Sequence, residues 1–368
     1  MSERLKGTRC KIYMVGPSQH SKGGMASLLY IYNRYYKDAL NLDFIPTYFG
    51  EQRMKDILYF ACAIVKIFCI CLVDKKACFH IHVSSGGSYV RKSIIARLCM
   101  GFGNKVVFHI HAGNFHDFLE NRSTSGKRKI IRLLNRIDKI VVLSNSWYQY
   151  IAKYVPPERI EIIGNPAVTL EEGHAGGDKP DVHILFVGNI CKRKGVYDLI
   201  EAVKRLRHRY IKVSIYGDGD VEDLKKVIGK SNLEHIVSIH GWVAYSNIGT
   251  IYNGVDIFVL PSYMEGLPMS ILEAMGKGIP VISTNIGGIP EIVLQGQNGF
   301  FIEPGDVKGL TEKLELLICD EKLRLSMGKK SREIVEEKFS VAIIQDKLEL
   351  MYRELYDMRR RDTGIHSY

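Results

Sequence analysis

The sequence predicts an α/β protein of two similar domains, each a parallel sheet covered by helices on both faces and facing its partner across a cleft. Three observations lead there. Short β-rich runs alternate with helical periods along the chain. The runs are continuously apolar, as strands buried on both faces are. And one stretch, 169–180, is rich in Gly, Glu and Asp with no apolar period, so it reads as a linker.

The elements follow in order. In the first half, β-branched and aromatic runs give strands at 10–16, 78–83, 106–110, 139–143 and 159–163. Helical periods follow Gly24, Ile57, Ser88, Lys127 and Ser146. In the second half, strands are expected at 183–187, 212–216, 236–239, 257–260, 280–283 and 299–302. Helices are expected at 196–207, 221–228, 246–253, 269–275 and 307–317. Two charged, periodic stretches, 321–338 and 341–361, close the chain. The expected division is a first domain at 1–168, the linker 169–180, a second domain at 181–340, and a terminal helix within 341–368 that returns to the first domain. Ligands of such sheets bind beyond the carboxyl ends of the strands.

The composition is ordinary for a globular chain of 368 residues, with 46% hydrophobic and 25% charged residues, and it excludes collagen-like, low-complexity and repeat architectures. The net charge of +11 is uneven: residues 1–180 hold 26 Lys and Arg against 14 Asp and Glu, and residues 181–368 hold 25 against 26. An excess confined to the first half suits an anionic partner, a membrane surface above all, although a merely soluble basic surface has the same signature. Nucleic acid is not expected, because no stacking-aromatic motif or zinc module is present. Eight cysteines without a C-x-x-C pair, most of them in apolar runs, read as buried reduced thiols of a cytosolic protein. The polar, basic start is not a signal peptide. Residues 57–73 are apolar except Lys66, short for a span and charged at the centre, so they read as a buried helix before a membrane-embedded one.

The nonamer Glu265-Gly-Leu-Pro-Met-Ser-Ile-Leu-Glu273 carries most information. Pro268 suits a first helical position, which leaves the amides of Met269 and Ser270 unpaired at a helix start, a ready anion site. Eight helical residues rise about 12 Å. Carboxylates that far apart cannot flank one glycosidic bond, which needs roughly 5–9.5 Å, but they could hold the two ends of a ligand with phosphates between. A sugar nucleotide has that shape. A surface helix with two solvated glutamates also fits the nonamer alone.

Other constellations are weaker singly. A strand-end glycine pair, Gly23-Gly24, precedes a helix without forming a G-x-G-x-x-G or Walker pattern, and a tight turn would explain it equally well. Gly188-Asn189 leads into Lys192-Arg193-Lys194-Gly195, cations suited to a diphosphate or simply an exposed basic turn. His109 and His111 point the same way on one strand, with His80 and His82 on another. No acid or cysteine stands at useful spacing, so no metal is expected there. The helix around Lys127, Arg128, Lys129 and Arg132 alternates with Ile130, Ile131, Leu133 and Leu134, and reads as a basic amphipathic helix for an anionic membrane or as a solvated flank.

Together these residues resemble the retaining nucleotide-sugar glycosyltransferases of the GT-B fold, glycosyltransferase family 4, also called glycosyltransferase group 1. The resemblance rests on Gly23-Gly24, His111-Ala112-Gly113, Gly188 with Lys194-Gly195, Gly217-Asp218-Gly219, Asp256 to Ser262, Glu265 with Glu273-Ala274-Met275, and Gly287-Gly288-Ile289-Pro290-Glu291. It implies two Rossmann-like domains and roles for single residues. The Gly24 amide, beside Gly23, would face the donor diphosphate. Lys194 would pair with the phosphates, and Glu273 would accept from the ribose hydroxyls. Glu265 and His111 would hold the transferred sugar. Gly266, Leu267 and Pro268 would shape the loop whose Met269 and Ser270 amides cap the β-phosphate. Asn189 stands where the family often has Arg, which shifts phosphate charge to Lys194 with Lys192 or Arg193.

The implied activity is metal-independent, cofactor-free and retaining transfer from a nucleotide-diphosphate sugar, UDP-linked rather than GDP-linked, to a glycan or polyprenyl-diphosphate-linked acceptor. Its setting would be bacterial capsule, O-antigen or exopolysaccharide synthesis on the inner face of the membrane. A sugar-nucleotide epimerase and a catalytically silent binding subunit share the pattern.

Overall fold

The computed structural model describes residues 10–50, 53–169, 181–207 and 210–362. They divide into two α/β units, one formed by residues up to 165 together with those from 341 onward, the other by residues 166–340. The expected linker lies outside the described residues except for its first position.

The first unit holds six parallel strands: β1 (Ile12–Gly16), β2 (Leu42–Pro46), β3 (Cys78–Val83), β4 (Lys105–Ile110), β5 (Lys139–Val142) and β6 (Ile160–Ile162), in the order β2-β1-β3-β4-β5-β6. Helices α1 (Gly24–Ile31), α2 (Arg53–Val73), α3 (Gly87–Gly101), α4 (Phe115–Glu120), α5 (Thr124–Leu134) and α6 (Asn145–Ile151) connect them. Val15, Phe79, Ile81, Phe108 and Ile140 fill the core between sheet and helices. β2 is the strand the sequence reading missed. It is an edge strand that carries Asp43 and ends on Pro46, so it lacks the apolar continuity of the central strands.

The second unit repeats the plan with β7 (Val182–Val187), β8 (Ile211–Tyr216), β9 (Val237–Gly241), β10 (Ile257–Leu260), β11 (Val281–Thr284) and β12 (Gly299–Ile302). Their order is β12-β11-β10-β7-β8-β9, all parallel. Helices α7 (Val196–Arg205), α8 (Val221–Lys230), α9 (Ile248–Ile251), α10 (Met269–Gly276), α11 (Val307–Cys319) and α12 (Glu321–Lys338) cover it. The helix expected at 246–253 is a 3-10 turn, Tyr245–Asn247, followed by the single-turn α9. The last helix, α13 (Val341–Asp362), belongs to the first unit, where the Tyr36 hydroxyl donates to the Val341 carbonyl at 2.9 Å.

Two sequence readings need correction. Residues 57–73 do form a helix, but it is not buried. Ala63, Ile67 and Cys71 face the core, while Met54, Leu58, Val65, Phe68 and Leu72 are exposed. A crossover helix buries one stripe against its sheet, and this sequence is apolar well beyond that stripe. Nor are the cysteines mostly buried: only Cys71, Cys78 and Cys99 are, whereas Cys62, Cys69 and Cys319 are exposed. Cys62 and Cys69 lie on the outward side of α2, so lying in an apolar run did not make them core.

Candidate functional site

In the second unit the chain runs outward from β7 to β8 and β9, then returns to lay β10 on the other side of β7. The strand order reverses between β7 and β10, and a crevice opens beyond their carboxyl ends. The loops that leave these strands are 188–195 and 261–268, the two that carry most of the predicted site residues.

Backbone contacts lock the loops together. The Tyr263 amide donates to the Arg193 carbonyl at 2.8 Å, and the Arg193 guanidinium donates to the Met264 carbonyl at 3.1 Å. A third loop, after β11, joins them: the Gly288 amide donates to the Gly266 carbonyl at 2.7 Å, and the Thr284 hydroxyl to the Ser262 carbonyl at 2.6 Å. Two glycines make this approach possible. Gly195 has φ +69°, and a Cβ there would lie 2.0 Å from the Pro261 carbonyl oxygen. Gly287 has φ +54°, and a Cβ there would lie 2.1 Å from the Glu265 carbonyl oxygen. Only glycine satisfies both the dihedral and the space.

Inside this frame the Lys194 ammonium pairs with the Glu265 carboxylate, whose Oε1 also accepts from the Ser262 hydroxyl at 2.7 Å. Glu265 is 8% exposed and the Lys194 side chain 15%. Pro268 stands as N-cap of α10 with no side-chain cap, and the described helical ladder begins with the Leu272 amide donating to the Pro268 carbonyl at 3.4 Å. The first amides of α10, at Met269 and Ser270, thus carry the helix's positive end. Met269 is buried, Ser270 partly so, and Gly266, Leu267 and Pro268 line the buried turn before them.

Glu273 lies one turn on and is 5% exposed. Its Oε2 accepts from the Tyr252 hydroxyl at 2.7 Å. Burial pushes its carboxyl up to about 7, while the hydrogen bond from Tyr252 pulls the other way. The separation argument made from sequence does not hold: only the steps from Met269 to Glu273 are helical, a rise of about 6 Å rather than 12. Tyr252 was invisible to sequence reasoning, since an aromatic in a short helical run signals core and nothing more. Asn189 and Arg193 are exposed, and Gly188 of the same loop donates its amide to the carbonyl of Tyr216 at the end of β8, at 3.0 Å.

The remaining predicted residues lie in the first unit. Gly23 has φ +109° and is the N-cap of α1, with Gly24 as first helical residue, both exposed and without a side-chain cap. His111 follows β4 directly and is half-buried. Four imidazoles pack there. His82 pairs in register with His109 across β3 and β4. The His82 Nδ1 and His111 Nε2 are 2.9 Å apart, the His80 Nε2 and His109 Nδ1 3.1 Å, and the His80 Nδ1 and Tyr352 hydroxyl 2.6 Å. Burial pushes His80 and His111 down to about 3, and His82 and His109 well below the usual imidazole range. All four are therefore neutral at pH 7. Ligand nitrogens of His80, His82 and His109 come within 4.8 Å of one another, close enough to surround an ion, yet two of the three already bond each other and the group holds no anionic ligand.

The helix that reads as either a basic membrane face or a solvated flank has the surroundings of a flank. Ile130, Leu133 and Leu134 of α5 are buried in the first unit, so its apolar face is not available to a bilayer. Lys127 is engaged as well, by Glu120 at 2.5 Å and by the Tyr154 ring at 5.2 Å. Arg128, Lys129 and Arg132 remain exposed cations without an insertable face.

Two six-stranded parallel α/β units, one of them with a charged pair and a bare helix start at its switch point, define the GT-B class of fold. The sequence profile described as "Glycosyl transferases group 1" matches residues 173–334. Over those residues, a little under half of the chain, it is similar to that family. It is 33% identical over 237 residues to the capsular polysaccharide biosynthesis glycosyltransferase CapM of Staphylococcus aureus, covering 62% of this chain and 60% of that protein. It is 27% identical over 351 residues to the UDP-Gal:α-D-GlcNAc-diphosphoundecaprenol α-1,3-galactosyltransferase of Escherichia coli, covering 87% and 86%. The chain spans about three fifths of the length of CapM and of several similar relatives. Among solved structures it superposes on sucrose-phosphate synthase from Thermosynechococcus elongatus with a TM-score of 0.78 at 16% identity over 95% of this chain and 100% of that one. On Anabaena HepE in complex with UDP the TM-score is 0.72 at 18% identity over 94% and 100%. These likenesses concern the fold.

Proposed function

We propose that this chain transfers a sugar from a nucleoside-diphosphate donor, a UDP-sugar before a GDP-sugar, with retention at the anomeric carbon. The acceptor would be a glycan or polyprenyl-diphosphate-linked glycan in bacterial surface polysaccharide synthesis at the inner membrane face. The observation that carries this is Lys194 and the bare amides of α10 at the switch point of the second sheet. Negative charge grows on a leaving diphosphate, and preorganised amides with an ammonium stabilise it where it develops. They supply positive charge without a divalent ion.

In this reading the donor's diphosphate displaces Glu265 from Lys194, and Glu265 turns to hydroxyls of the sugar. Glu273 takes the ribose hydroxyls, which favour its ionised form, with the Tyr252 hydroxyl holding the carboxylate in place. Gly24 and His111 are assigned the diphosphate and the sugar by the resemblance. As a neutral imidazole His111 serves as a hydrogen-bond partner and adds no positive charge. The relatives named for capsule and for a diphosphoundecaprenol-linked acceptor support the choice of pathway class.

The test is a panel of labelled UDP- and GDP-sugars with an undecaprenyl-diphosphate-linked monosaccharide, with and without EDTA. Transfer of one sugar in the α configuration from an α-linked donor, undiminished by EDTA, is expected. Conversion of UDP-GlcNAc alone to its 2-epimer would instead mark an epimerase. Nucleotide binding without turnover of any donor would mark a silent subunit.

A further inference from the structure

Helix α2 lies outside the site described, and nothing in the proposed chemistry uses it. It has 21 residues, a length of about 32 Å. Its most apolar stretch, Met54–Val73, is long and apolar enough to cross a membrane, yet only 17% of its most apolar window is buried. The inward stripe, Ala63, Ile67 and Cys71, is fixed in the core of the first unit. The outward stripe runs through Met54, Leu58, Val65, Phe68 and Leu72, at steps of three, four and seven residues that keep one helix face. The neighbouring α3 adds exposed Val90 and Ile94. Soluble monomers rarely expose so continuous an apolar face.

The surroundings say what covers it. Exposed Lys55 and Lys66 flank the stripe, Lys76 follows its end, and exposed Arg97 stands on α3. The acids nearby are engaged: Asp43, which feels Lys66, pairs with Lys11 at 3.2 Å, Asp56 accepts from the Phe49 and Gly50 amides at 2.8 and 2.9 Å, and Asp74 from the Lys76 amide at 3.0 Å. An apolar stripe with a cationic margin matches an anionic lipid leaflet, with acyl chains below and phosphate headgroups at the margin. A span is ruled out by connectivity, since α2 joins two parallel strands of one sheet and its inward stripe is part of that sheet's core.

We propose that α2 docks the protein on an anionic bilayer, lying in the plane of the surface with its outward stripe roughly 5–10 Å into the headgroup boundary. The proposal deepens the acceptor reading given above by naming the surface that meets the membrane. It stands on α2 alone and is tested without donor or acceptor. Full-length protein is floated with vesicles of phosphatidylethanolamine and phosphatidylglycerol, and with phosphatidylcholine vesicles. Wild type is expected to float with the anionic vesicles and to be released by alkaline carbonate. The triple variant Leu58→Ser, Val65→Ser, Leu72→Ser, altered only at exposed positions, should keep its melting temperature and partition at least tenfold less. The double variant Lys66→Glu, Lys76→Glu should lose the preference for anionic over neutral vesicles. Equal partition of the triple variant overturns the proposal. So does a wild-type dimer that ignores vesicles and becomes monomeric in the triple variant, and so does resistance to carbonate, which would mean a span.

Discussion

The two units treat charge at the ends of their strands in opposite ways. The second keeps an ammonium and a carboxylate side by side at its switch point, held by three loops whose backbones touch. The first stacks four imidazoles along β3 and β4, three of them near the strand ends, and leaves all of them neutral through burial. The difference teaches what each can contribute. A charged pair that a ligand can split presents a poised countercharge to phosphate. A neutral histidine stack can orient and exchange hydrogen bonds but cannot offset charge.

The largest effect that follows concerns Lys194. Lys194→Ala should lower kcat by about a hundred- to a thousandfold, or 2.7–4 kcal/mol. A loss under threefold would show that the poised charge is not at Lys194. Because the variant also strands Glu265, whose pair is mostly buried, it should melt earlier. Lys194→Met combined with Glu265→Gln should recover the melting temperature without recovering the rate, which separates the two consequences.

This unit was also the more legible one. Its site loops are written in residues that backbone geometry compels: glycine at 195 and 287, where any Cβ meets a carbonyl oxygen, and proline at 268, where a helix begins. The partner choices of side chains were not legible. Nothing in the sequence joins Tyr252 to Glu273, because that bond depends on how α9 and α10 come to lie on one sheet. In the first unit, α2 was read as buried and α5 was left open between a membrane face and a solvated flank. Composition counted apolar and basic residues correctly but could not say which stripe the sheet would cover, and the sheet covers the apolar face of α5 while leaving most of that of α2 outside.

Next in size is Gly287→Ala. The left-handed backbone and the Glu265 carbonyl 2.1 Å from the new Cβ should cost at least about 1–3 kcal/mol in a denaturant titration and loosen the loop that supports Glu265. A change below 0.5 kcal/mol, ordinary for a surface site, would mean the three loops are not locked.

Glu273 sharpens the comparison through pH. In the unfolded chain its carboxyl titrates near the ordinary 4.5, in the fold near 7, so the folded state holds the proton more tightly. Its burial penalty is absent below pH 4.5, grows as pH rises to about 7 and is complete above it, so stability falls across that window. Glu273→Gln should flatten the fall in melting temperature between pH 5 and 8 while weakening UDP binding. An unchanged slope would place the group outside the buried site. His111, already neutral, should contribute no inflection between pH 5 and 8 to the rate profile, and an inflection abolished by His111→Gln would contradict its neutral state.

The smallest effect is expected on α5. Charge reversal at Arg128, Lys129 and Arg132 should change stability by under about 0.5 kcal/mol and reduce vesicle binding less than the α2 triple variant does. A larger loss than from α2 would return membrane contact to α5.

Calorimetric titration of UDP into wild type, Lys194→Ala and Glu273→Gln tests the central claim most directly. Saturable one-to-one binding by the wild type, weakened in both variants, is the predicted result. Absence of saturable binding at millimolar UDP and GDP, or equal affinity in all three proteins, would contradict a diphosphate site at the switch point of the second sheet.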